Sequence, residues 1–500
     1  MAAMNNVSDL KPFKSMWKVR VKIIRLWKQY STASGETIEM VFVDSRGSKI
    51  EATLYEELEA LNHITMNEGD WFDIRNFKGT IMDSMQSFDA LTHNLRECFL
   101  DMGSFLKDQK IIVSTIIDVW SGLYGKENNI CMNYLQELAS HNLLKLLPLG
   151  KNKYEDGFFN EFLVKQDNIL REFAIHQCEK KSLSILQRKR LDMDIKENKY
   201  PDWCLNLKQP VTLNASLLSI STDDSFTSCW IGMHCPNVEV LVLNLSSSTY
   251  ALPNFITTMK KLKVVMIINH GFELTKLTNL SCLSLLSNLR RIRFEKASIT
   301  LHDIPKLQLK CLEKLSLWLC HVNDTPNELE DLEVDVTETL QSLHEIEIDY
   351  CYNLVELPQW VSQVISIKKL SITNCNKLCR LLEGMGNLRN LEMLRVISCS
   401  NLFELPKAIE KLSNLRLLDV SGCFQLKRLP LEIGKLQKLE KISMRDCYRC
   451  DLPDSVKNLD IEVRCDEGTV FLWERFIPKM KNLTIIEEET EHNLNLLQLF

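Results

Sequence analysis

Seventeen cysteines occur in 500 residues, and five of them, Cys351, Cys375, Cys399, Cys423 and Cys447, recur every 24 residues. Thiols can ligate zinc, pair as disulfides or attack electrophiles, and each use restricts spacing and surroundings. Cys447-Tyr-Arg-Cys450 is a solitary C-x-x-C with Cys465 fifteen residues on, whereas zinc requires four ligands at suitable spacing. The odd count, and the lack of a hydrophobic leader in MAAMNNVSDLKPF, point to reduced thiols in the cytoplasm or nucleus. His176 falls on a predicted helix beside Phe173 and Ala174 and reads as a packed or surface residue. The sequence holds no G-x-x-x-x-G-K-[ST] phosphate loop, dinucleotide fingerprint, kinase set or G-x-S-x-G elbow. The nearest approach, GLYGKE at Gly122–Glu127, has the wrong spacing. The expectation is a protein that is not an enzyme and holds neither metal nor cofactor.

The cysteines belong to a larger pattern. LHEIEIDYC, IKKLSITNC, LEMLRVISC, LRLLDVSGC and LEKISMRDC start at Leu343, Ile367, Leu391, Leu415 and Leu439, each 24 residues after the last. The shared L-x-x-L-x-L-x-x-C is a leucine-rich-repeat signature. Its L-x-L core alternates with period two, as in a short strand with apolar residues facing inward. The cysteine falls where the chain leaves the strand, a place suited to a small, buriable side chain. Pro358, Pro406, Pro430 and Pro453 stiffen the returning segments. Upstream, VEVLVL from Val238, LKVVMI from Leu262, LRRIRF from Leu289 and LEKLSL from Leu312 keep the core less regularly. About nine or ten repeats are expected over 205–465, with the tail HNLNLLQLF as an end cap. The acidic run Asn327–Glu338 reads as a solvated loop inserted between repeats.

The outward strand residues should line one broad curved sheet of mixed charge. That surface suits protein recognition, and Glu347, Asp349, Arg395, Asp419 and Arg445 are the candidate contacts. A composition of 45% apolar and 25% charged residues is ordinary for globular domains, and a net charge of −6 argues against a molecule that coats nucleic acid. No stretch reaches the roughly 18 apolar residues of a membrane span.

Between 85 and 200 the pattern becomes helical. Phe88, Leu91, Leu95 and Phe99 fall on one face of an amphipathic helix, IIVSTIIDVW and MNYLQELASHNLLKLL read as further helices, and EDGFFNEFLV reads as a hairpin arm. DNILREFAIHQ starts another helix, with Asp167 or Asn168 as its cap. LRECFLDMGSF, STIIDVW, YLQELASHNLLKLL and QDNILREFAIHQ, followed by these repeats, resemble plant disease-resistance proteins of the nucleotide-binding leucine-rich-repeat (NLR) class. The likeness is to the helper-type branch with an RPW-like helical N-terminus. It implies a winged-helix domain over 85–200 and a role in plant defence. In that family a Met-His-Asp or Gln-His-Asp motif senses nucleotide, and the matching positions here are Gln166, Asp167 and Asn168, a degenerate form. With no nucleotide-binding domain in the sequence, neither ATP nor ADP is expected to bind.

Residues 1–80 have strand character. Met16–Tyr30 alternates apolar and basic residues, and between Leu10 and Gly35 there are seven basic residues and no acidic one. Two strands around the turn Asp44–Gly47, a helix over Tyr55–Ile64 and a strand over Trp71–Phe77 should follow. That order is that of an OB-fold. The segment resembles the first DNA-binding OB domain of plant replication protein A large-subunit-like proteins, without its closing strand. The resemblance implies single-stranded DNA binding as an alternative function, with Lys18, Arg20, Lys22 and Lys28 on phosphates and Trp27 or Tyr30 stacking on bases.

The expected fold class is therefore α/β: a leucine-rich-repeat solenoid over 201–500, preceded by a winged-helix-like domain and an incomplete OB-like segment. The expected function is non-enzymatic recognition of a protein partner, such as a full-length immune receptor or a pathogen-derived protein.

Overall fold

The computed structural model describes residues 18–31, 35–44, 49–55, 71–75, 87–148, 162–180, 189–205, 210–323, 335–480 and 483–487. They fall into two compact units: Met1–Gly103 with Gln136–Lys145 and Gln166–Gln177, and Ser104–Leu135 with Leu146–Lys165 and Cys178–Phe500.

The first unit holds a four-stranded antiparallel sheet of β1 (Lys18–Ser31), β2 (Gly35–Asp44), β3 (Lys49–Tyr55) and β4 (Trp71–Arg75), ordered β3-β2-β1-β4. The expected strands are present, while residues 56–64 of the expected helix lie outside the described residues. It also holds an aromatic cluster in which the Phe88 ring lies 5.4 Å from Phe99 and 5.3 Å from Phe173. The single helix expected through Phe88 and Phe99 is broken: extended Thr92 opens a separate helix, His93–Asp101. Phe88, Leu91, Leu95 and Phe99 are nevertheless all buried.

The second unit is built on a thirteen-stranded parallel sheet running from Arg190–Ile195 to Thr484–Glu487. It starts before the expected boundary at 201 and outruns the expected end at 465. In the regular part Glu345 pairs with Lys369, Lys369 with Met393, Met393 with Leu417 and Leu417 with Lys441. A 24-residue period in sequence has become a register with no stagger. Inward leucines, isoleucines and valines of successive repeats form one continuous core.

The cysteines form a rung inside that core. Cys351, Cys375, Cys399, Cys423 and Cys447 are all fully buried, and no described cysteine is in a disulfide. The Cys423 thiol donates to Val396 O at 3.1 Å and the Cys447 thiol to Val420 O at 3.1 Å, each reaching back one repeat. Burial raises their pKa, and that of Cys450 to about 12, so the thiols stay protonated donors.

The residue before each rung cysteine is left-handed: φ is +54° at Tyr350, +56° at Asn374, +53° at Ser398, +73° at Gly422 and +60° at Asp446. This turns the strand exit so that one more N–H reaches the next repeat, Ser398 N to Ser421 O and Gly422 N to Arg445 O at 2.8 Å each. At the C-terminal end the helix Glu467–Glu474 covers the stack with Trp473, whose indole N–H points at Met444 Sδ at 3.0 Å. The tail expected as a cap lies outside the described residues, as do residues 327–334 of the acidic insertion. Asp335 caps a short helix, Val336–Thr339, and accepts from Thr337 N at 2.9 Å. Among the described residues no helix is long and apolar enough to cross a membrane.

Gly422 is the rung residue that cannot carry a side chain freely. A Cβ there would lie 2.8 Å from Ser398 Oγ and 3.0 Å from Ser398 Cα, on a backbone that L-residues adopt at a cost. Gly422→Ala should therefore lower stability by about 1–2 kcal/mol. Ser398→Gly, at the equivalent position, should leave stability unchanged or slightly higher; urea melts of the two variants check the contrast.

Candidate recognition face

The outward positions of the long sheet fall into two parts. On strands Val240–Leu245 and Val264–Asn269 they include Val240, Val242, Val264 and Met266, all fully buried. The helix Val113–Tyr124 covers them. It forms because VSTIIDVWSGLY offers an apolar run closed by left-handed Gly125 as its cap. Its Gly122 sits so close to the sheet that a Cβ would collide with Val264 Cγ2. Lys263 Nζ donates to Gly122 O at 3.2 Å and pairs with Glu239 at 2.5 Å. The winged-helix segment expected at 85–200 therefore does not stand apart as a unit. Its Ser104–Leu135 part is packed with the repeats because this helix needs an apolar wall and the outward valines supply one.

Beyond the valines the outward positions become charged, and the same helix becomes polar above them. Arg291 Nη1 donates to Asp118 Oδ1 at 2.5 Å and Arg291 Nη2 to Ser121 Oγ at 2.9 Å. Arg293 Nη1 donates to Ser114 Oγ at 3.1 Å and Arg293 Nε to Glu295 Oε1 at 2.5 Å. Thr115 Oγ1 donates to Glu295 Oε1 at 3.2 Å. Lys314 Nζ lies 3.6 Å from Asp118, 3.1 Å from Glu345 and 3.0 Å from Glu347. Four carboxylates and three cations thus share one dry cluster, with Asp118 only 1% exposed and Lys314 3%.

Burial works against the Lys314 charge, and Asp118, Glu345 and Glu347 outweigh it, so its pKa stands above the ordinary value. At Glu347 burial pulls upward, but Lys314 and then Arg293 overcome it and hold the carboxyl at about 2. Burial raises Glu345 against the pull of Lys314. Of two carboxylates on one ammonium, Glu345 is the one that takes a proton first.

This settles the candidate contacts unequally. Glu347 is not offered to a partner: its second oxygen accepts from Ser316 Oγ at 3.1 Å, and the carboxylate is spent inside the cluster. Asp349 is turned to its neighbours, accepting from Thr373 Oγ1 at 2.6 Å and Asn374 Nδ2 at 2.9 Å. Burial raises its pKa to about 6. Arg395 and Asp419 face each other at 4.0 Å, nearly buried, and Arg445 is half-buried with its main-chain N–H on Ser421 Oγ at 3.3 Å. Lys369, Met393, Ile397, Lys441 and Arg464 are half-buried around them.

The degenerate motif lies in the first unit. Gln166 is buried with neither amide atom hydrogen-bonded among the described residues, Asp167 is exposed, and Asn168 begins the helix Asn168–Lys180, so Asp167 occupies its cap position. Of the nucleic-acid candidates, Arg20 is exposed and Lys22 half-buried on β1, and nothing beyond backbone placement is described for Lys18, Trp27, Lys28 and Tyr30. A bulge in β1 between Ile23 and Arg25 shifts the register by one, so the backbone positions of Lys28 and Tyr30 do not continue the face of Arg20 and Lys22.

A parallel ladder of leucine-rich turns with an outward wall, half filled by a helix and half open, defines a leucine-rich-repeat protein. The chain is 73% identical over 419 residues to a probable disease resistance protein of Arabidopsis thaliana, covering 84% of this chain and 99% of that relative. It therefore belongs to the disease resistance protein family. Two further probable disease resistance proteins of the same plant are 68% and 64% identical over 84% and 85% of this chain; the chain spans about half their length, 51% and 52%. Residues 8–116 match a family described as Domain of unknown function DUF223. Among solved structures, an internalin, InlF, of Listeria monocytogenes aligns at TM-score 0.37 and 15% identity, covering 60% of this chain and 87% of its own. The leucine-rich repeat domain of the type III effector XopL aligns at 0.31 and 16%, covering 69% and 92%. Superpositions this loose add nothing to the ladder itself.

Two expectations follow. Asp118→Ala strips Arg291 and Lys314 of a buried counter-ion and should cost about 3–5 kcal/mol. Faster amide exchange along Arg291–Glu295, together with a lower melting temperature, checks it. At Asp349 the folded pKa lies above the ordinary 3.8, so the fold opposes ionisation: the cost is absent near pH 4, grows through pH 6 and is constant above. Asp349→Asn should then be more stable than the parent at pH 7.5 by about 1–3 kcal/mol, with the gap closing as pH falls towards 4. Parallel urea melts across that range measure it.

Proposed function

We propose that this chain is a non-enzymatic, NLR-related defence protein that recognises a protein partner with the open, C-terminal part of its outward sheet. The observation that carries this reading is the change in the wall. From Val240 to Glu347 the outward side chains are satisfied by the chain's own helix and ion cluster. From Lys369 to Arg464 the row is mixed, with half-buried Lys369, Met393, Ile397, Lys441, Arg445 and Arg464 standing among buried Ser371, Arg395, Leu417, Asp419 and Ser443. Rows of that composition, with arginines held in place by neighbouring carboxylates, suit protein contacts rather than bond-making chemistry.

Arg395, oriented by Asp419, and Arg445 are the anchors in this reading; Lys369, Met393, Ile397 and Lys441 complete the contact. The family membership supports the defence role, and the partner proposed is a full-length relative or a pathogen-derived protein. No step of the proposal uses bound nucleotide.

Charge reversal at both anchors tests it. The full chain carrying Arg395→Glu and Arg445→Glu, shown by circular dichroism to keep its fold, should capture a co-expressed full-length relative from leaf extract at least tenfold less than the parent does. Equal capture by the two chains removes this face from the proposal.

A further inference from the structure

A second cleft, independent of the outward sheet, lies between two short parallel strands and the 3-10 turn Asn254–Thr258. The strands are Val211–Thr212 and Met233–His234, and they form a two-stranded sheet with no third member among the described residues. The cleft is open to solvent and has a volume of about 830 Å³, within the range of sites that take small molecules.

Its walls are specific. Gly232 O accepts from Val211 N at 3.1 Å and His234 O from Leu213 N at 2.9 Å, so residues 232 and 234 turn their main chain towards the neighbouring strand. Successive residues of a parallel strand point their main-chain groups to opposite sides. Met233 therefore turns its N–H and C=O the other way, along the wall of the cleft. One residue further, Cys235 N is met by Thr258 Oγ1 at 3.2 Å, which fixes that side as the side of the turn. Met233 has no such partner: among the described residues neither its N–H nor its C=O makes a hydrogen bond, although the residue is 3% exposed. Buried main-chain groups without partners are costly and rare. On the opposite wall the other strand end is closed, since Trp230 Nε1 donates to Ala251 O at 2.8 Å and Ser228 Oγ accepts from Ala251 N at 3.0 Å. The Trp230 ring meets Phe255 edge-on at 5.6 Å and gives the cleft an apolar floor. At the rim Asn279 Nδ2 donates to Asn254 Oδ1 at 2.9 Å, and the amide nitrogen of the exposed Asn254 makes no hydrogen bond among the described residues.

We propose that this cleft binds a short extended peptide, which pairs with Met233 as the third strand of the two-stranded sheet. The unpaired N–H and C=O of Met233 offer one donor and one acceptor at main-chain spacing, which another peptide main chain complements. One apolar or aromatic side chain of the peptide lies over Trp230 and Phe255, and the Asn254 amide donates to a peptide carbonyl.

The test uses the immobilised full chain and a pool of acetylated, amidated hexapeptides randomised at every position. Peptides retained by the parent, and lost on a chain carrying Met233→Pro, are resynthesised and measured by fluorescence anisotropy. Proline removes the N–H that faces the cleft without removing a ladder bond. The expected result is an enriched sequence with an apolar or aromatic residue at one position. Its affinity should fall at least tenfold on N-methylation of one main-chain amide, and severalfold on Asn254→Ala. If Met233→Pro lowers the melting temperature substantially, the N-methyl scan on the parent chain decides alone. Failure to enrich any sequence overturns the proposal. So does an enriched peptide that tolerates N-methylation at every position, which would assign the cleft to side-chain recognition. Neither failure bears on the Arg395 and Arg445 face, which lies on other repeats.

Discussion

No single repeat of this solenoid can satisfy its own main chain. A parallel strand directs half its N–H and C=O groups to each neighbour, so every turn is complete only when another turn lies on either side. The 24-residue recurrence, the unstaggered register and the left-handed strand exits all serve that requirement. So does the cysteine, whose thiol donates to a carbonyl one repeat back. The small thiol is there as a buried donor, and its raised pKa follows from the same burial.

The ladder leaves a wall of outward side chains, and the chain covers part of it itself. Helix Val113–Tyr124 matches that wall residue by residue: Gly122 over Val264, then Asp118, Ser114 and Thr115 over Arg291, Arg293 and Glu295. Six buried charges and the half-buried Arg291 would be costly alone. They persist because each cation meets more than one acceptor, and Asp118 serves two cations at once. The helix therefore belongs to the solenoid energetically, although it precedes the first repeat in sequence.

The repeats were legible because the L-x-x-L-x-L-x-x-C core recurs in register five times and proline marks four of the returning segments. The helix itself was read from IIVSTIIDVW, but its seat on the wall was not, yet a signal existed. VEVLVL and LKVVMI have no polar alternation, which marks strands covered on both faces, whereas LRRIRF and LEKLSL alternate apolar with charged residues. The left-handed exits were hidden because Tyr350, Asn374, Ser398, Gly422 and Asp446 share a backbone angle and little chemistry. Glu347 looked like a contact because sequence shows which way a strand residue points, not what lies opposite. Likewise the alternation of β1 placed Lys28 with Lys22 until the bulge at Ile23 and Arg25 shifted the count.

The helix bridging strands Val240–Leu245, Val264–Asn269 and Arg291–Glu295 also alters how the stack comes apart. Repeats joined only to their neighbours can fray one at a time from an end. Three turns clamped by a common crossbar must let go together. The N-terminal part of the spring should behave as a single stiff block, while the turns beyond Lys369 keep the graded compliance of a stack of independent plates.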